Sequence, residues 1–136
     1  MQEALEEVRG TNLFFDTDEK KAIAAADVVL VSVSTPLKHG GFGAEYAPDL
    51  QHWEKMARLI AECSTSSKII VERSTVPIKT ADLISKILAN NSPVKGWTVL
   101  SNPEFAREGS AMLDHASPER VMIGCTPDDV GRAAAS

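Results

Sequence analysis

A chain of 136 residues can bury one hydrophobic core but is too short for a large two-domain enzyme. Its 19 acidic and 14 basic residues give a net charge of −5 without a dense Lys/Arg cluster, which argues against nucleic acid as a partner. No apolar run approaches the roughly 20 residues that cross a bilayer, and Met1 to Glu6 lack the charged and apolar regions of a signal peptide, so no membrane association and a cytoplasmic location are expected.

In chain order, Asn12-Leu13-Phe14-Phe15 reads as a short strand and Asp18 to Ala26 as a weak helix. Asp27 to Val33 is an almost wholly apolar, β-branched run, right for a strand covered on both faces of a parallel sheet. Leu37 to Pro48, with Gly40, Gly41 and Gly43, reads as a long mobile loop. Leu50, Trp53, Ala57 and Ile60 then share one helical face, with Asp49 as the expected N-cap. Lys68 to Glu72 is a second strand, and Ser74 or Thr75 with Pro77 marks the start of a helix whose buried stripe is Ala81, Ile84, Ile87 and Leu88. Asn90 to Pro93 ends it, Trp97 to Ser101 is a third strand, and Arg120 to Gly124 a fourth. From Asp128 another helix begins, with nothing yet to pack on. Alternating strands and helices give the fold class: α/β, a Rossmann-like, doubly wound, mainly parallel sheet.

Ligands of such sheets bind at the carboxyl ends of the strands. After the first strand comes Ser34-Thr35-Pro36, after the second Ser74-Thr75-Val76-Pro77, and after the third Asn102-Pro103-Glu104-Phe105-Ala106-Arg107-Glu108. Small hydroxyl residues let a flat cofactor approach the backbone; the same residues also simply cap helices and turn the chain. Glu104 and Glu108, flanking Arg107, are placed for general acid/base work, and equally for a solvated pair in a helix's first turn. Cys63 and Cys125 lie in apolar sequence without Cys-x-x-Cys spacing and read as reduced, packing cysteines. His39, His52 and His115 are scattered and read as surface residues, so no metal is expected. A Gly-x-Gly-x-x-Gly fingerprint occurs nowhere in the chain.

The motifs Val31-Ser32-Val33-Ser34-Thr35-Pro36, Ala47-Pro48-Asp49-Leu50, Val71-Glu72-Arg73-Ser74-Thr75-Val76-Pro77 and Leu100-Ser101-Asn102-Pro103-Glu104-Phe105, with Arg107-Glu108-Gly109, resemble the UDP-glucose 6-dehydrogenase family. The similarity covers nearly the whole chain, and the long Gly-rich loop favours the animal and plant type. It implies NAD as cofactor, UDP-glucose as substrate, and oxidation to UDP-glucuronate by two hydride transfers through a covalent cysteine adduct. By position, Val33, Ser34, Thr35, Pro36 and Leu37 match one cofactor segment, and Ser74, Thr75 and Val76 a second. Thr75 matches the residue that holds a catalytic water, and Glu104 the acid/base that works with it. Phe105, Ala106, Arg107 and Glu108, with Glu104, match the substrate loop, and Glu108 also reaches the cofactor. Ser34, Arg73 and Ala106 stand where the family commonly has Asn, Lys and Leu, which should adjust contacts without removing the chemistry.

The resemblance further implies that residues 1–136 are part of an NAD-binding domain, without its Gly-rich opening, the central helix, the UDP-binding domain and the nucleophilic cysteine. The isolated chain is then expected to be inactive and to bind NAD weakly. Its apolar sheet face is expected to be exposed, and the full-length parent to be a homo-oligomer. Alternatives are a dehydrogenase for UDP-N-acetylmannosamine or GDP-mannose, or a non-catalytic binding module.

Overall fold

The computed structural model describes residues 2–136, with backbone alone at 2–4 and 129. The elements are α1 (Gln2–Val8), α2 (Glu19–Ala25), β1 (Val28–Val31), α3 (Gln51–Cys63), β2 (Ile69–Glu72), α4 (Thr80–Asn91), β3 (Thr98–Ser101), α5 (Ala111–Ala116) and α6 (Asp129–Ala135). The three strands form one parallel sheet in the order β1-β2-β3, with Val29, Ile70 and Val99 in register across it. Each parallel step needs a crossover, and α3 and α4 supply the two.

Period-2 alternation sorts the strand residues between two unequal faces. Val31, Ile70 and Val99 join Trp53, Ala57, Ile60 and Ala61 of α3, Ile84 and Leu88 of α4, and Ile23 of α2 in one buried cluster. The helical stripes read from the sequence are the ones that close this core. On the other face Leu30 is 62 % exposed and Val28 is also open, while Leu100 is buried and α6 lies against β3. The exposed apolar face anticipated from the sequence is therefore real at β1, whereas α6 does find a packing partner, contrary to expectation. Its N-cap Asp128 accepts a hydrogen bond from Gly131 N–H at 2.7 Å.

Two expected strands do not form. Of the 120–124 run only Gly124 pairs, as an isolated antiparallel bridge to Ser101, and Val121, Met122 and Ile123 stay exposed. The 12–15 run likewise has only a bridge from Leu13 to Arg9, with Phe14 and Phe15 exposed and the Arg9 guanidinium 5.6 Å from the Phe15 ring.

Helix starts differ in detail. The helix read over Asp18 to Ala26 forms as α2, with Asp18 as its N-cap, accepting from Lys21 N–H at 3.0 Å. The N-cap of α3 is Leu50 rather than Asp49, although the Asp49 carboxylate still accepts from Gln51 N–H at 2.9 Å. α4 begins at Thr80, later than Ser74-Thr75-Pro77 suggested, after Lys79 at φ 69. The reason is that the Ser74 hydroxyl is engaged by Val33, two residues past β1, so the chain runs on until Thr80 can bond the Pro77 carbonyl through its hydroxyl (2.7 Å) and its N–H (3.3 Å).

The 37–48 loop is closed at its base by the Leu37–Pro48 bridge, by Lys38 N–H to the Ala47 carbonyl (2.8 Å) and by Asp49 N–H to the Pro36 carbonyl (2.6 Å). Gly43 has φ +83, and a Cβ there would stand 2.9 Å from that of Ala47, so a side chain would be both strained and crowded. The buried Lys68 ammonium donates to the Ala24 and Ala26 carbonyls, pinning the end of α2 to the start of β2.

Candidate active site

The segments that follow β1, β2 and β3 meet along one rim, as parallel strands require. Two kinds of bond join them. Between β1 and β2 the Ser74 hydroxyl donates to the Val33 carbonyl (2.7 Å) and accepts from Val33 N–H (2.9 Å), while the Thr35 hydroxyl donates to the Thr75 carbonyl (3.0 Å). Between β2 and β3 the contact is ionic: the Arg73 guanidinium donates to the Asn102 side chain (2.7 Å) and carbonyl (3.2 Å) and forms an ion pair with Glu104. Charged hydrogen bonds of this kind are the stronger and more directional class.

Glu104 is thus held from two sides, its other oxygen accepting from Phe105 N–H at 3.0 Å. Asn102 also donates to the Met122 carbonyl at 2.8 Å, which ties the rim to the bridge at Gly124. Beyond it, Arg107 folds back on Asp114: its guanidinium donates to both carboxylate oxygens (2.6 and 3.3 Å) and its N–H to one (3.0 Å), while the Ser110 hydroxyl adds a fourth bond at 2.8 Å. The Arg107 side chain, then its backbone N–H, then Ser110 hold the Asp114 carboxyl well below the usual carboxylate range, and the same pairing raises the Arg107 guanidinium. The Arg120 guanidinium sits 5.1 Å from the centre of the Phe105 ring, a cation–π distance.

These groups enclose a cleft of about 370 Å³ at the end of β3, whose walls include Arg73, Asn102, Glu104, Phe105, Arg107 and Asp114. Its remaining wall, from His115 and from Pro118 to Val121, was not singled out from the sequence as site-forming. Arg107 and Asp114 meet because residues 107–110 turn before α5, and no helical or strand periodicity announces a pair at that spacing.

Of the residues named from the sequence, the structure brings together Val33 with Ser74, Thr35 with Thr75, and Glu104, Phe105 and Arg107 around the cleft. Val33 and Val76 also pack on the core, Pro36 lends its carbonyl to Asp49, and Leu37 closes the loop base. Ser34, Ala106 and Glu108 are exposed, and Ala106 and Glu108 are not in the cleft wall. Thr75 shares the rim with Glu104, two residues beyond the arginine that holds it, but no hydrogen bond joins the two side chains among the described residues.

The Ser74 and Thr35 hydroxyls fix the shape of the small-residue turn from Val33 to Pro36. Cys63 is partly buried against the core, whereas Cys125 is exposed, against expectation, because the segment around Gly124 makes only its single bridge. Neither lines the cleft. The three histidines are exposed, and no cluster able to hold a metal ion occurs among the described residues. No helix among them is long and apolar enough to cross a membrane.

Comparison with known proteins gives this arrangement a lineage. Residues 1–136 match the model of the UDP-glucose/GDP-mannose dehydrogenase family, NAD binding domain. The chain is 52 % identical over 134 residues to the UDP-glucose 6-dehydrogenase 3 of Oryza sativa subsp. japonica, a match that covers 98 % of this chain and 28 % of that protein. Among solved structures, a UDP-glucose dehydrogenase from Pyrobaculum islandicum superposes with a TM-score of 0.78 at 34 % identity, over 98 % of this chain and 29 % of the other. A GDP-mannose dehydrogenase from Pseudomonas aeruginosa does so with a TM-score of 0.71 at 32 % identity, over 87 % and 28 %. The chain spans little more than a quarter of the length of the relatives it matches, and it belongs to the UDP-glucose/GDP-mannose dehydrogenase family, within that family's NAD-binding domain.

Proposed function

We propose that these residues form part of the reaction rim of an NAD-dependent UDP-glucose 6-dehydrogenase, a cytoplasmic homo-oligomer that oxidises UDP-glucose to UDP-glucuronate. The observation that carries this reading is the Arg73–Glu104–Asn102 cluster, which places a carboxylate at the mouth of the cleft, one strand away from the hydroxyl-lined turns. NAD supplies the hydride acceptor, with Val33 to Leu37 and Ser74 to Val76 as its resting surface and Glu108 as a further contact. Glu104 takes and returns the proton of the sugar hydroxyl through a water held by Thr75. Phe105, Ala106, Arg107 and Glu108 present the loop over the sugar, and the Arg107–Asp114 bonds keep that loop folded.

Arg73 has a defined part in this scheme. While it grips Glu104 the carboxylate is oriented but occupied, so substrate has to share or displace that guanidinium before proton transfer. Neither cysteine of these 136 residues is at the cleft, so the nucleophile of the covalent step has to come from another part of the enzyme. The isolated chain is therefore expected to be inactive, and its NAD affinity weak, because the fingerprint that holds the pyrophosphate is not among its residues.

The test is a chimera in which this chain replaces the matching 134-residue segment of the rice enzyme. NADH formation from UDP-glucose is the expected result, with UDP-N-acetylmannosamine and GDP-mannose as competing substrates. A folded chimera that prefers either competitor moves the assignment to that sugar, and turnover by the isolated chain would contradict the role given to the external cysteine.

A further inference from the structure

Glu72, the last residue of β2, carries a carboxyl group yet is 2 % exposed, and the reaction described for the rim gives it no part. Strand alternation turns it, with Ile70, toward the helix-covered face, and the next residue, Arg73, the other way. These two consecutive side chains grip two consecutive residues at the end of β3. Glu72 Oε2 accepts from the Ser101 hydroxyl at 2.7 Å, and Arg73 donates to Asn102 at 2.7 Å and pairs with Glu104. The backbone adds a bond from Asn102 N–H to the Glu72 carbonyl at 2.8 Å, and Ser101 is steadied by exchanging two backbone bonds with Gly124 (2.9 and 2.7 Å).

We propose that Glu72 is a positioning residue for the candidate site: from inside the fold its carboxyl ties the end of β2 to the end of β3 and so fixes the gap between the Thr75 turn and the Glu104 turn. The inference rests on reading Thr75 and Glu104 as the reacting rim.

The surroundings of Glu72 explain why the tie has a preferred protonation state. Its strand neighbours in register are Val31 and Ser101, and the faces packed toward the sheet present Ile23 from α2, Trp53, Ala57, Ile60 and Ala61 from α3, and Thr80, Ile84 and Leu88 from α4. None of these is charged, and Arg73 is committed to Glu104. Its second oxygen, Oε1, is buried with no hydrogen-bond partner among the described residues. Burial pushes the Glu72 carboxyl above the ordinary glutamate value, against a smaller lowering by the Ser101 hydroxyl. A raised carboxyl favours the folded state while it is protonated; that contribution is complete below the unfolded value and is lost as pH climbs through the folded one. An ionised Glu72 has to draw water or a cation toward it, which loosens the β2–β3 end.

Nuclear magnetic resonance of the chain tests this directly, by following the Glu72 carboxyl carbon and the amides of Thr75 and Glu104 with pH. The three are expected to share one transition above the ordinary glutamate range. In Glu72→Gln that transition disappears and the amide positions match those of the parent chain at low pH; Ser101→Ala displaces the Glu104 amide. Should Glu72 titrate while the Thr75 and Glu104 amides ignore it, or should the transition survive in Glu72→Gln, the proposal is wrong. In the chimera, Glu72→Ala is expected to lose up to about 10²-fold in kcat with little change in KM, as misplacement of reacting groups does, and Glu72→Gln to restore most of it. The resonance measurement needs neither NAD nor nucleotide sugar, so its outcome is separate from that of the substrate assay.

Discussion

The two seams of the sheet are built alike in backbone and differently in chemistry. Between β1 and β2 the rim is joined by hydroxyl groups bonded to main chain, without charge; between β2 and β3 it is joined by Arg73, Glu104 and Asn102 outside and by Glu72 and Ser101 within. A neutral, small-residue seam suits close approach of a planar ring to the backbone, where a charge would have to be desolvated. A charged seam suits the place where a proton has to move, because a carboxylate aimed in advance needs no reorganisation at that moment. On the proposed reading, holding and reacting are separated by one strand spacing.

That contrast can be broken from either side. The largest effect is expected at the charged seam: Glu104→Gln in the chimera should lower kcat by about 10²–10⁴-fold, the usual weight of a general acid/base, with the melting temperature nearly unchanged. A loss of only a few-fold would remove Glu104 from the chemistry. Next comes the neutral seam, where Ser74→Ala strands both the N–H and the carbonyl of Val33; denaturant titration of the chain should show a loss of about 1–3 kcal/mol. An unchanged midpoint would mean that water replaces the hydroxyl there.

Smaller still is the effect of acid on the Arg107–Asp114 knot. The Asp114 carboxyl is depressed in the folded chain, so its contribution is present above the ordinary aspartate value and fades as pH falls through the lower folded one. Asp114→Asn should therefore lower stability most at neutral pH and least in acid, which flattens the acid side of the stability curve; an unaltered acid slope would show that the knot is broken in solution. Smallest is Thr35→Val, which removes a single exposed bond to the Thr75 carbonyl and should cost under about 1 kcal/mol. A larger loss would mean that the neutral seam depends on Thr35 as much as on Ser74.

Much of this was legible in the residues themselves. The runs at 28–31, 69–72 and 98–101 are β-branched and apolar, and the stripes through Trp53 and Ile84 have helical spacing, so sheet and crossover helices follow from local pattern. The residues after each strand were legible too, because a parallel sheet brings its carboxyl ends to one edge whatever fills the core. The runs at 12–15 and 120–124 misled because strand pattern is necessary and not sufficient: a strand also has to pair along its length, and each of these finds a single bridging residue.

The sequence by itself determined the α/β order, the buried stripes, the rim segments and the family, since each depends on residues near one another in the chain or on a motif read as a string. The tertiary structure decided which side chains pair across strands: Ser74 with Val33, Arg73 with Glu104, Glu72 with Ser101, Arg107 with Asp114. Those partnerships depend on register and on which face each side chain takes. A shift of one residue in a strand would send Glu72 outward and Arg73 inward, and no local propensity fixes that choice.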